Sequence, residues 1–132
     1  MTAALRAHAA GLLCAQAAVE LLIGHAVWLR RSGFVDRFVT VETDPGLVGQ
    51  TALAWVDWHA AAGAVQAGRL PCSASEGHIL LIAASLAEGV AVELGDAVTG
   101  LDAVNSVLVA RAVLAAGAHR EAAEALAGVA GR

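Results

Sequence analysis

Over residues 2–31 the apolar positions recur at three- and four-residue steps: Leu5, Ala9, Leu12, Val19, Ile23 and Ala26 align on one face of a helix, with Gln16 in the same stripe. This spacing predicts one long N-terminal helix. Arg30 and Arg31 fall in its last turn, where cations suit the exposed carbonyls, and Gly33 is placed to stop it. Gly11 and Gly24 lie inside this helix at a cost of about 1 kcal/mol each relative to Ala, which close approach of another element can offset. A further helical turn is expected over 34–37.

The period then changes. Phe38-Val39-Thr40-Val41-Glu42-Thr43 is rich in β-branched residues and alternates in polarity, as a half-buried strand does. Asp44-Pro45-Gly46 is a turn signal, and residues 51–56 read as the returning strand of a hairpin. An isolated two-stranded hairpin is marginal in water, so it must lie on the helices or pair with another hairpin across a subunit boundary. Asp57 is placed to cap a helix over 58–67, with Gly68 closing it. Ser73-Ala74-Ser75-Glu76 is a capping box opening a helix that carries Ile79, Ile82, Ala83 and Leu86 and ends at Gly89. After an extended piece over 90–94, residues 96–99 allow one helical turn before Gly100. Asp102 then caps a helix running to about residue 118, and Glu121 to Ala127 allow another turn or two, continuous with it or broken from it near Gly117. The fold class is therefore α+β and predominantly helical: a long first helix, one β-hairpin at about 38–43 and 51–56, then three to four helices in a single domain, 1–132.

Composition sharpens this in one respect. Hydrophobic residues make up 58% of the 132 and charged ones 15%, against roughly 45–50% and 25% in ordinary soluble domains. A domain of this size has limited interior, so part of the surplus is expected to cover a partner, and an identical subunit is the commonest one. The competing account is codon bias: about a quarter of the residues are Ala, and every Lys or Arg position is Arg, as a high-GC genome would give. The net charge of −4 argues against a protein that coats phosphate backbones. Arg30, Arg31 and Arg37 form the local basic cluster, and Asp36, Glu42 and Asp44 stand beside them. Cys14 and Cys72 are lone thiols with no metal-site spacing, which points to free cysteines and a cytoplasmic setting. The apolar run from Ala7 to Leu29 has the length of a membrane span, but Gln16, Glu20 and His25 interrupt it and no signal-peptide pattern accompanies it, so no membrane segment is expected.

Candidate chemistry is sparse. Five histidines, His8, His25, His59, His78 and His119, lack the i, i+3 or i+4 ligand spacing of a helical metal site, so no metal is expected. Asp57-Trp58-His59 joins a carboxylate, an indole and an imidazole, yet adjacent residues point in different directions, which favours a cap, a core anchor and a first-turn residue. Glu20 needs a partner if it faces the core, with Arg111 or His25 as candidates. No nucleophile elbow, activating cysteine motif, phosphate loop or cofactor fingerprint is present.

The string Ser85-Leu86-Ala87-Glu88-Gly89, then Val92-Glu93-Leu94 and Asp96-Ala97-Val98-Thr99-Gly100-Leu101-Asp102, with Asn105 and Ala112-Val113-Leu114 beyond, resembles the C-terminal half of a family of small uncharacterised actinobacterial proteins, over roughly residues 55–120. Those relatives carry a longer polar side chain where this chain has Gly95, so no role is carried over to that turn. The resemblance implies a shared fold and a high-GC bacterial origin, and it brings no activity with it. The expectation is a non-enzymatic, cytoplasmic protein-interaction module that forms a homodimer. Leu5, Leu12, Val19, Ile23, Trp28, Val39 and Val41 are its candidate interface. The alternative is a small-molecule or metal-dependent enzyme with a pocket near Glu20, His25, Asp57 and His59.

Overall fold

The computed structural model describes residues 1–43 and 52–130. Helices dominate, with one antiparallel hairpin, so the predominantly helical α+β class holds. The described elements are α1 (Thr2–Ala9), α2 (Leu13–His25), a 3-10 turn (Trp28–Arg30), α3 (Ser32–Phe38), β1 (Val39–Glu42), β2 (Leu53–Val56), α4 (Trp58–Gln66), α5 (Ala74–Glu88), α6 (Leu94–Thr99), α7 (Ala103–Ala116) and α8 (Arg120–Ala130).

The long N-terminal helix is not formed. The chain breaks at Gly11, which takes φ +87°, and Leu12 is extended, so α1 and α2 are separate helices. It breaks again at Ala26, whose φ of +69° is the left-handed region that Ala occupies only when its surroundings impose it. Folding α1 back lets its Leu5 and Ala9 join the same core as Ala17, Ala18 and Leu21 of α2, which one straight helix cannot do for all of them. Gly33 falls inside α3 rather than stopping a helix, and Arg31 stands at the N-cap of α3.

The predicted hairpin is present, shortened to four residues on each side. Val39 pairs with Val56, Thr40 with Trp55, Val41 with Ala54 and Glu42 with Leu53. The turn signal at residues 44–46 and the strand start at residue 51 lie outside the described residues. β2 rests on α1, which supplies the support that two strands lack alone. His8 and Trp55 meet across that contact with ring centroids 5.2 Å apart.

Local signals placed the second half well. Asp57 accepts from the Ala60 amide at 3.2 Å and starts α4. Ser73 and Glu76 form both bonds of the capping box, and Gly89 closes α5 at φ +68°. Asp102 accepts from the Asn105 amide at 2.8 Å and starts α7. α7 and α8 are broken from each other at Ala118, φ +66°, so Arg120 opens α8 instead of closing α7.

The core is built on α2, which packs against both α5 and α7. Their contact faces are small: Ala17, Ala18, Leu21 and Leu22 of α2 are buried, as are Ile79, Leu80, Ala83 and Ala84 of α5. Alanine at a crossing brings helix axes close, and leucine and isoleucine beside it fill the remaining space. A Cβ built on Gly24 would lie 3.1 Å from Leu108 Cδ2, so the mid-helix glycine does serve close approach, here of α7. Trp28, Phe34 and Phe38 close the hairpin end as a run of tilted rings with centroids 5.2 and 5.5 Å apart.

Candidate functional sites

The four residues expected to share a pocket are held by different neighbours. Glu20, on α2, is exposed and binds Arg6 of α1 through both carboxylate oxygens, at 2.6 Å to Nε and 3.2 Å to NH2. The hydrogen bond and then the charge of Glu20 hold the Arg6 guanidinium above its ordinary value. The partner of Glu20 is thus Arg6, not Arg111 or His25. His25, in the last turn of α2, is half-buried, and burial pushes its imidazole below the ordinary value, opposed by the charges of Glu76 and Asp102 and assisted by Arg31. Asp57 is the cap of α4, and His59 in the next turn stands 3.3 Å from the Glu88 carboxylate at the end of α5. Among the described residues no group of three or more His, Cys, Asp or Glu side chains is arranged to hold a metal ion.

The candidate interface residues also divide. Leu5, Val19 and Trp28 are buried within the single chain, Trp28 with no exposed surface, and they belong to its own core. Ile23 and Val39 pack partly against that core. Leu12, 63% exposed in the α1–α2 turn, and Val41, 53% exposed on β1, face outward.

Two surface features combine shape with chemistry. The first is the outer edge of β1. The Asp57 amide donates to the Phe38 carbonyl at 2.7 Å, which makes that pair a hydrogen-bonded one in the antiparallel register. Hydrogen-bonded pairs alternate, so Thr40 and Glu42 bond inward to Trp55 and Leu53, while the Val39 carbonyl and the N–H and carbonyl of Val41 point to the open side; the Val39 N–H already donates to the Val35 carbonyl of α3. Among the described residues β1 has no strand neighbour except β2. Thr40, Val41 and Glu42 are exposed, and Leu53 on the paired strand is 41% exposed.

The second is a cleft where α2, α7 and α8 meet. One hollow of about 360 Å³ is lined by Leu13 and Gln16 of α2, Arg111 of α7 and Arg120 and Glu124 of α8. An adjoining hollow of about 330 Å³ reaches Arg6, Ile23 and Leu108. Both are walled by Ala17, Glu20, Arg111, Ala115 and Ala123, so they form one continuous depression. The Nε of Arg111 is shielded from solvent and has no hydrogen-bond partner among the described residues. Sequence reasoning put Arg111 beside Glu20 only as a neutralising partner. It did not find the cleft, because α8 closes it from the far end of the chain.

The cysteines are unpaired: Cys14 and Cys72 are both free and exposed. Partial burial first, then the charge of Glu76, raises the Cys72 thiol, so it is not an activated nucleophile. No helix of the described residues is long and apolar enough to cross a membrane. The chain matches no protein-family model, no curated protein and no solved structure.

Proposed function

We propose that this chain is a non-enzymatic, cytoplasmic protein-interaction module that works as a homodimer joined through β1. The outer edge of that strand carries the reading. It offers the outward carbonyl of Val39 and the N–H and carbonyl of Val41 beside the exposed β-branched side chains of Thr40 and Val41, with no lysine or proline of the kind that blunts an edge. An identical strand satisfies it by antiparallel pairing about a two-fold axis, where each residue of one copy meets its counterpart's surroundings in the other. The pairing joins two two-stranded ribbons into one four-stranded sheet. It also covers Val41, part of the apolar surplus of the composition. Two free thiols suit a reducing compartment. A pocket enzyme built on Glu20, His25, Asp57 and His59 is the weaker reading, because Glu20, Asp57 and His59 each have a separate partner and separate structural work.

Sedimentation equilibrium across a wide concentration range tests the dimer. Val41→Pro removes an outward N–H while leaving the inward bonds of Thr40 and Glu42 in place. The expected result is a dimer for the parent chain and a helical, folded monomer for Val41→Pro. A parent chain that stays monomeric at every concentration rules the proposal out, and so does a variant that remains as dimeric as the parent.

A further inference from the structure

We infer that the cleft between α2, α7 and α8 is a binding site for a small organic carboxylate with a short apolar body. Three features of the cleft select that class. Its volume, about 360 Å³ in the outer hollow alone, lies at the small end of ligand pockets, which run from roughly 300 to 1,000 Å³. Its walls between the charged groups are methyl-rich, with Leu13, Ala17, Ala115 and Ala123 giving a surface suited to a hydrocarbon segment. Its charge is arranged to receive an anion, as follows from the pairing of its arginines.

Glu20 already spends both carboxylate oxygens on Arg6. Arg111 lines both hollows, and its shielded Nε donates to no group among the described residues. A guanidinium cannot deprotonate to relieve that, and its planar fork of donors fits the two oxygens of a carboxylate. Arg120, contributed by α8, lines the same hollow as Arg111 and adds a second positive charge to it. Glu124, on the same helix as Arg120, is placed to repel a dianion more strongly than a monoanion, which disfavours inorganic phosphate. The ligand therefore bonds through one carboxylate to the Arg111 fork and lays its apolar part along the alanines.

Titration calorimetry of the full chain with hexanoate, hexanol and inorganic phosphate tests this, with amide chemical-shift mapping of the same titrations. Hexanoate is expected to bind, hexanol not to bind measurably, and phosphate to bind at least tenfold more weakly than hexanoate. Shifts are expected at Gln16, Glu20, Ala115 and Ala123. Arg111→Gln is expected to weaken hexanoate at least tenfold with an unchanged circular dichroism spectrum. If that variant does not fold, Ala115→Leu, which fills the wall shared by both hollows, is expected to give the same loss. Absence of hexanoate binding overturns the inference, as do shifts away from the cleft, equal binding of phosphate, or a folded Arg111→Gln that binds as the parent does. The dimer proposed above is independent of these outcomes.

Discussion

Arg31 donates to one carboxylate oxygen of Glu76 at 2.9 Å, and the other oxygen of Glu76 accepts from the Ser73 amide at 2.8 Å. One carboxylate thus closes the capping box of α5 and ties that helix to the start of α3. Arg31 also donates to the Pro71 carbonyl at 2.6 Å and lies 4.7 Å over the Trp28 ring, so the junction is held from three sides. Glu76→Ala removes a cap bond and an ion pair that is only partly exposed. The expected cost is about 1–3 kcal/mol, more than a solvated surface pair would give. Urea denaturation measures it, and a loss below a few tenths of a kcal/mol means the junction is not structural.

The same carboxylate predicts a response to acid. The Ser73 amide first, and the Arg31 charge behind it, hold Glu76 below its ordinary value of 4.5. The folded chain therefore keeps the proton off when the unfolded chain has begun to take it up. The stabilisation is complete above 4.5 and is lost as pH falls through the depressed folded value. Glu76→Gln is expected to flatten this part of a stability profile measured between pH 6 and pH 3. An unchanged acid limb would show that other carboxylates dominate it.

Trp28 is fully buried and its indole N–H donates to the Glu76 carbonyl at 2.9 Å. Trp28→Ala opens a cavity at the meeting point of α2, α3 and α5 and is expected to cost about 3–5 kcal/mol. Trp28→Phe keeps most of the volume but removes the donor to a carbonyl in a partly buried site, for about 1–2 kcal/mol beyond the lost packing. Thermal melts of the two variants separate the packing contribution from the hydrogen bond. A Trp28→Phe variant as stable as the parent would mean that the N–H bond contributes nothing.

Gly24 sets the approach of α7 to α2. A methyl group there gains helix propensity of about 1 kcal/mol but arrives 3.1 Å from Leu108 Cδ2, the movable end of a side chain. Gly24→Ala is therefore expected to change stability by less than about 1 kcal/mol, since Leu108 can turn aside. Gly24→Val exceeds what that movement absorbs and is expected to lose about 1–3 kcal/mol, with partial rescue by Leu108→Ala. Failure of Leu108→Ala to rescue would place the strain elsewhere.

What could be read from the chain beforehand follows from how local each cause is. The caps at Asp57, Ser73 and Asp102 act within three residues, and each appeared where its short motif stood. The hairpin was legible because β-branched residues cluster in 38–43 and a period of two replaces the helical one. The break at Gly11 had a signal, a glycine, that was outweighed by the apolar period continuing on both sides. The break at Ala26 had none, since alanine is a good helix former and its positive φ comes from packing of distant elements. The cleft around Arg111 was illegible for the same reason: its walls come from both ends of the chain, and nothing near Arg111 in sequence announces α8 behind it.

His25 supplies a second pH dependence, opposite in chemistry to Glu76 and the same in direction. Its ring sits at the end of α2, half-buried, with Nδ1 shielded and without a hydrogen-bond partner among the described residues. Burial disfavours the imidazolium. The carboxylates of Glu76 and Asp102 favour it, the Arg31 guanidinium opposes it, and the balance leaves the folded value below 6.5. Below 6.5 the unfolded chain therefore takes up a proton that the folded chain refuses, so unfolding is favoured as pH falls from 7.5 until the folded ring is protonated too. The denaturant midpoint is expected to drop between pH 7.5 and 5.5, a window that lies above the Glu76 response. His25→Gln, which cannot take up a proton, should lose most of this drop while the acid limb below 4.5 persists. A His25→Gln midpoint that falls as steeply as the parent's between pH 7.5 and 5.5 would assign the effect to another histidine.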